Sequence, residues 1–213
     1  MKKSIRHLAA DILTQVNQSG VFASSLLDEI LEQQHLSQTA DGKLLTFLVY
    51  GVLRNRGYLD WIIAKLYHAH FEQLEEIIKN ILRVALFQLA FSERLPSFAV
   101  VNEAVKHAKR IRRDKTALVN AILRNYLRRR HLVSFPSPHD DPAQYLSIVH
   151  SHPRWLVDEW INIFGAEETM SLCASNNKLP PMTARVNTLK ISRENLINRL
   201  AQEGFSPAPT SFS

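Results

Sequence analysis

Apolar residues recur every three or four positions along the first 130 residues, a spacing typical of amphipathic helices. The pattern predicts helices over residues 4–17, ending at Gly20; from Ser24 or Ser25 to Gln34; from an N-cap at Asp41 to Arg54; and, after a break at Gly57, over Leu59–Tyr67. Residues 74–91 are apolar on most sides, which indicates a central helix surrounded by others. Pro96 and Ser97 open a further helix, and Asp114 is predicted to cap the next one.

A different pattern begins at residues 131–142, where closely spaced prolines cannot continue a helix. The sequence beyond this linker predicts short helices around residues 143–149, 153–164 and 166–176, then a strand at 182–188 and a helix over 192–203 that ends at Gly204. A strand followed by a helix is typical of the opening of an α/β or α+β unit. Nine residues follow Gly204, too few for the partners that a lone strand needs, so we expect the second domain to be cut short.

Composition indicates a globular protein of 213 residues, with 46% hydrophobic residues and only six glycines. No apolar stretch is long enough to span a membrane and the N-terminus lacks a signal-peptide core, so we expect a soluble, cytoplasmic protein without membrane contact. The single Cys173 excludes an intrachain disulfide, which fits a reducing compartment.

The positive charge is concentrated in residues 106–130, where ten Lys or Arg side chains face a single acid, Asp114. This segment carries +9, whereas the rest of the chain sums to −3, giving the net charge of +6. Basic clusters gain affinity for nucleic acids by displacing counterions from phosphates. The alternative is a solvated helix face.

Four sequence blocks resemble the NusB-type RNA-binding fold: Val52–Asp60 (VLRNRGYLD), Ile81–Leu89 (ILRVALFQL), Val101–Val105 (VNEAV) and Leu118–Asn125 (LVNAILRN). Two further segments, Ser151–Leu156 (SHPRWL) and Pro180–Thr188 (PPMTARVNT), resemble the bacterial 16S rRNA cytosine-C5 methyltransferases of the RsmB (Sun/Fmu) type. The resemblance spans nearly the whole chain.

This resemblance implies an all-α, NusB-like helical bundle followed by a small, incomplete α/β segment of the RRM-like or ferredoxin-like kind. The corresponding domains are residues 1–130, which bind RNA; a Pro-rich linker at 131–142; and residues 143–213, which form the truncated start of the second unit. RNA, in particular 16S rRNA, is the implied partner. A NusB-like module that binds a protein in transcription antitermination or ribosome assembly is the alternative.

Methylation at cytosine C5 requires an activated cysteine and bound S-adenosylmethionine. The resemblance implies that the cofactor loop and the catalytic cysteine motifs lie further downstream, so we expect S-adenosylmethionine only in the full-length family enzyme and no activity from this chain alone. Gly51 and Gly57 stand between bulky residues within a helical pattern, which does not suit a ligand-cradling loop. Cys173 has no preceding proline and is interpreted as a packing residue. An active enzyme completed by a separately encoded half is a third hypothesis.

The remaining polar motifs favour structural roles. The pairs His68/His70 and His150/His152 lack the further ligands that zinc needs. Four other polar residues are assigned to helix termini and inter-helix hydrogen bonds: Asp60, Glu103, Arg83 and Asn102.

The predicted RNA contacts lie around the junction of two helices, where free backbone N–H groups also favour phosphate. They are Lys106, Lys109, Arg110, Arg112, Arg113 and Lys115. A second candidate cluster at the N-terminus, implied by the resemblance to NusB, comprises Lys2, Lys3 and Arg6.

Overall fold

The computed structural model describes residues 4–67, 69–92 and 95–210, and this part of the chain is helical. The α-helices are α1 (Ile5–Ser19), α2 (Ala23–Gln33), α3 (Ala40–Arg54), α4 (Arg56–Leu66), α5 (Glu76–Phe91), α6 (Ser97–Ile111), α7 (Thr116–Arg129), α8 (Pro142–Val149), α9 (Arg154–Phe164), α10 (Ala166–Asn176) and α11 (Arg193–Gln202). Single 3-10 turns occur at Phe71–Gln73, Arg113–Lys115 and Arg130–Leu132. The predicted all-α bundle is confirmed. None of these helices is long and apolar enough to cross a bilayer.

Several helix ends differ from the prediction. The hydroxyl of Thr39, not the carboxylate of Asp41, caps α3 by accepting from the Gly42 amide at 3.0 Å. Asp41 lies in the first turn instead, where its charge complements the helix dipole. Phe22 stands at the N-cap of α2 without a side-chain hydrogen bond, so neither predicted serine caps this helix. The break between α3 and α4 falls at Asn55 rather than at Gly57.

The central helix predicted over residues 74–91 is confirmed as α5. Every side chain from Ile78 to Gln88 is buried. Helices α1, α3, α4, α6 and α7 all pack against it. Because α5 is surrounded, its polar residues Lys79, Asn80, Arg83 and Gln88 are buried rather than exposed on one face.

Gly51 allows α3 to approach α5 closely. A Cβ atom at this position would overlap the ring of Phe87, which is itself buried. The ring cannot withdraw easily, because Phe47 and Phe91 flank it with centroids at 5.1 and 5.3 Å. The glycine therefore serves helix packing.

Arg83 is the largest fully buried side chain, with 2% of its surface exposed. Its guanidinium forms a two-pronged bond with Asp60 of α4, Nε to Oδ1 at 2.6 Å and Nη2 to Oδ2 at 2.9 Å. Its Nη1 donates to Glu76 and to Asn80 on its own helix. The buried cation is thus matched by two carboxylates and an amide, as burial of an ion requires.

The same network reaches α1. Asn17 donates its side-chain amide to Glu76 at 2.5 Å, and Asn80 donates to the hydroxyl of Thr14 at 3.0 Å. Helices α1, α4 and α5 are therefore joined through one connected set of polar side chains around Arg83. This arrangement gives Asp60 the inter-helix role that the sequence indicated.

We predict that Arg83→Ala lowers the free energy of unfolding by about 3–5 kcal/mol, because it removes the cation that hydrogen-bonds two part-buried carboxylates. Urea denaturation followed by circular dichroism measures this change. Arg56→Ala is the matched control: Arg56 is half-exposed and 3.7 Å from Asp60, so its removal should cost less than about 1 kcal/mol. Equal losses in the two variants would contradict the central role of Arg83.

The Glu76 carboxylate should make the free energy of unfolding depend on pH in the acid range. Burial alone would raise its pKa, but the hydrogen bonds and charge of Arg83 outweigh burial, so the pKa of Glu76 lies below its ordinary value. A depressed pKa means that this stabilisation is complete above the unfolded-state pKa and is lost as pH falls through the folded-state value. Denaturation of wild type and Glu76→Gln should therefore differ most at neutral pH and converge below about pH 4. A constant difference across the acid range would contradict this.

The predicted linker is packed onto the bundle. The ring of Phe135 stacks on Tyr58 with centroids 5.1 Å apart, and Trp61 donates its indole N–H to the carbonyl of Ser134 at 2.9 Å. Residues 1–177 form one compact unit that includes α8, α9 and α10. Helices α8, α9 and α10 bury a small second core around Leu146, Val157 and Cys173.

Residues 178–213 form the other compact unit. Helix α11 begins at the N-cap Ser192, whose hydroxyl accepts from the Asn195 amide, and the chain then turns at Gly204 with a φ of +88°. The strand predicted at 182–188 is wrong, since these residues are not part of a strand and Thr188 begins a turn. Alternation alone does not make a strand without a neighbour to complete its hydrogen bonds.

Candidate RNA interface

The predicted RNA-contacting residues lie on a helical hairpin of α6 and α7 joined by the 3-10 turn Arg113–Lys115. Helix α6 buries Val100, Val101, Ala104, His107 and Ala108, whereas α7 buries Val119, Ile122, Leu123 and Tyr126. The apolar faces of both helices pack inward, and the basic residues between them are left at or near the surface.

Carboxylates neutralise three of the six basic residues of this hairpin that are predicted to contact RNA. Lys106 pairs with Glu103 at 3.2 Å, and Lys115 lies 3.7 Å from Asp114. Arg112 bonds both Asp114, at 3.3 Å, and Glu75 just before α5. Arg112 therefore links the hairpin to the residue before α5 through a solvent-accessible ion pair.

Asp114 does not cap α7, contrary to the prediction. Its carboxylate instead contacts Arg112 and Lys115, and α7 begins at Thr116 without a side-chain cap. The hydrogen bond from Arg112 holds the pKa of Asp114 below its ordinary value. The Asp114 carboxylate therefore forms ion pairs with these two cations instead of accepting from the free backbone N–H groups at the start of α7.

The other three basic residues keep their charge available. Within the described part of the chain, no carboxylate lies within ion-pair distance of Lys109, Arg110 or Arg113. All three side chains are exposed. Unpaired and solvated cations are the ones that a phosphate can bind without first breaking a salt bridge.

Of the N-terminal candidates, Arg6 alone lies within the described residues. Arg6 is half-buried and donates from Nε to Gln88 of α5 at 2.7 Å, so it supports the packing of α1. Lys2 and Lys3 lie outside the described residues. Their assignment to RNA contact stays a prediction.

Two buried histidines lie behind the basic residues of α6. The rings of His7 and His107 stack with centroids 4.1 Å apart, and His107 is 3.3 Å from Asp11. Burial, followed by the charges of His107 and Arg110, lowers the pKa of His7. Glu103 accepts from the exposed Lys106 and lies 3.8 Å from His7, which agrees with a structural role for this acid.

Sequence reasoning missed Asn102. The sequence predicts a helix-terminus or inter-helix hydrogen-bonding role for this residue, but it is exposed and its side chain makes no hydrogen bond to the described residues. It lies one helical turn after Phe98, whose ring is 77% exposed. The sequence contains one indication of this exposed position. Phe98, Asn102, Val105 and Lys109 follow each other at spacings of three and four, which places them on one face of the helix.

The described residues do not fit S-adenosylmethionine or thiolate catalysis. Gly42, Gly51 and Gly57 make close approaches to other parts of the chain, whereas the remaining glycines turn the chain at positive φ. Cys173 is fully buried, and burial raises the pKa of its thiol. No cluster of three or more metal-ligating side chains is found among the described residues, and His68 lies outside them.

We predict that the Cys173 thiol is inert in the native protein. Burial blocks access and disfavours the thiolate, which is the reactive form. Ellman's reagent should therefore react slowly under native conditions and at once in denaturing urea. The chain has no other cysteine to confuse the readout. Immediate labelling of the folded protein would show that the thiol is accessible.

Comparison with known proteins identifies the fold. Residues 3–128 match the NusB family model. The chain belongs to the NusB family. Residues 152–213 match a second family model, the ferredoxin-like domain of RsmF/B-like methyltransferases. This NusB-family chain therefore combines two domains in the order that the sequence resemblance implied.

Curated relatives match nearly the whole chain. A protein of Bacillus subtilis (strain 168) named "Probable ribosomal RNA small subunit methyltransferase B" is 34% identical over 205 residues, which cover 95% of this chain and 45% of the relative. "Ribosomal RNA small subunit methyltransferase B" of Proteus mirabilis (strain HI4320) is 31% identical over 204 residues, covering 95% and 46%. The chain spans about half the length of the curated relatives it matches.

Two solved structures share the fold. The structure of PH0851 superposes with a TM-score of 0.62 at 18% identity and covers all of this chain and 48% of that one. A chain from the crystal structure of a plectonemic RNA supercoil gives 0.56 at 22% identity, covering 62% of this chain and 97% of that one.

Proposed function

We propose that this chain is the rRNA-recognition region of a small-subunit rRNA cytosine-C5 methyltransferase and acts in the cytoplasm. The proposal is based mainly on the exposed, unpaired cations Lys109, Arg110 and Arg113, which lie on the α6–α7 hairpin of a NusB-family fold. The relatives named as small-subunit rRNA methyltransferases support rRNA as the ligand. Phosphate contacts from these residues would supply affinity and position the RNA.

Methyl transfer is not assigned to the residues described here. It needs S-adenosylmethionine and a nucleophilic thiolate, and the packed glycines and the buried Cys173 provide neither. We assign the chemistry to regions of the relatives outside the matched half. The contribution of this chain is binding and orientation of the RNA.

The test is the double variant Lys109→Glu/Arg110→Glu, with a labelled hairpin of small-subunit rRNA as the probe. We expect affinity to fall at least about tenfold, and the slope of log K against log salt to shrink by about two, because two phosphate contacts are lost. Fluorescence anisotropy over a salt series measures both quantities. Arg112 is left unchanged because it holds Glu75.

The control is Lys43→Glu/Lys65→Glu, which changes the same net charge at two exposed lysines on α3 and α4. It should retain most of the affinity. Equal weakening by the two double variants would contradict a localised RNA site on the hairpin. Absence of any salt-dependent RNA binding by the wild type would refute the proposed function itself.

A further inference from the structure

An open groove of about 900 Å³ runs between the outward faces of α6 and α7. Phe98, Asn102 and Val105 contribute from α6. Asn120, Arg124 and Arg128 contribute from α7, where they recur at intervals of four residues. Its volume lies within the range of small-ligand sites, but its length along two helices suits an extended ligand better.

Phe98 lies at one end of the groove, in the first turn of α6. Phe98 is 77% exposed, whereas Phe87 in the core is 4% exposed. A single exposed apolar residue is common and means little alone. Here the ring adjoins side-chain amides and arginines, the combination that binds unpaired nucleotides by stacking and phosphate contact.

The groove is positively charged. Arg113, Arg124 and Arg128 line it, and its acid, Asp114, is already in ion pairs with Arg112 and Lys115. Arg124 donates from Nε to Asn120 Oδ1 at 3.0 Å, which fixes the guanidinium beside the groove and leaves its terminal nitrogens for a ligand. Three arginines against one neutralised carboxylate complement a polyanion.

The amides of Asn102 and Asn120 provide hydrogen-bonding groups between these charges. Asn102 is exposed and makes no side-chain hydrogen bond to the described residues, whereas Asn120 uses only its oxygen, to bind Arg124. An amide both donates and accepts, which matches the edges of nucleobases. Val101, Val105, Ala117 and Leu127 also line the groove, so an acidic amphipathic helix is the competing ligand, but the unpaired amide of Asn102 and the arginines favour RNA.

We propose that the α6–α7 groove binds an unpaired RNA segment, with a base stacked on Phe98 and the backbone phosphates against Arg113, Arg124 and Arg128. The inference rests on the proposed RNA-binding function and specifies the form of RNA that this face takes. Bases in a duplex are stacked on their neighbours and cannot enter the groove. The groove therefore selects loops, bulges or single strands.

The experiment compares a labelled 12-nucleotide single-stranded RNA with a duplex of the same sequence, using fluorescence anisotropy on the full chain. Phe98→Ala should weaken single-strand binding about five- to hundredfold, the loss expected for one stacked base, and leave duplex binding unchanged. Phe98→Trp should restore affinity, and its added fluorescence should be quenched by RNA. Trp155→Ala removes a similarly exposed aromatic side chain, at 71% exposure on α9, and should have no effect.

Thermal denaturation verifies that Phe98→Ala folds, which the exposure of the ring leads us to expect. If wild-type protein binds single strands but Phe98→Ala binds them equally well, the groove proposal is overturned while RNA binding stands. If an acidic helical peptide binds in a Phe98-dependent manner and RNA does not, a protein ligand replaces RNA in the groove. If no RNA of either form binds to the wild type, the proposed function fails first.

Discussion

The burial of Arg83 constrains the whole bundle. A guanidinium in the protein interior is stable only when its donors meet acceptors, so Asp60, Glu76 and Asn80 must stay within hydrogen-bonding distance of it. Since Asp60 belongs to α4, and Asn17 of α1 bonds Glu76, this requirement fixes α1 and α4 against α5. The apolar core then closes around α5 on its other sides.

This arrangement determines what the α6–α7 hairpin presents to solvent. Both helices pack against α5 through their apolar faces, and the bond between Arg112 and Glu75 holds the connecting turn. The hairpin therefore exposes its remaining cations together with a groove that contains an uncovered aromatic ring. The packing of α6 and α7 forms the groove, and the basic residues give the surface around it a positive charge.

The sequence was most informative where periodicity determines structure. The helix periodicity located α1 and α5 because burial of an amphipathic or apolar surface follows directly from spacing. It failed at Asp114 and Asp41, where several polar groups compete for one helix end and only tertiary geometry decides between them. It also failed at residues 182–188, because a strand depends on partners that a local pattern does not reveal.

The candidate site was predictable in charge but not in shape. Ten cations in a short segment are visible in the sequence, yet the salt bridges that neutralise Lys106, Arg112 and Lys115 depend on the fold. Asn102 and Phe98 gave no signal of their own, because exposure on a helix depends on which neighbouring faces are covered. The candidate interface therefore comprises the unpaired cations of the basic segment and the adjacent groove.

RNA binding by the α6–α7 hairpin can be tested by ultraviolet cross-linking of the wild-type protein to an unpaired RNA oligonucleotide, followed by peptide mass spectrometry. We expect cross-linked peptides from residues 97–128, with the modified side chain at or beside Phe98. Cross-links confined to α2, α3 or α9, with none on the hairpin, would contradict the assignment of RNA binding to α6 and α7.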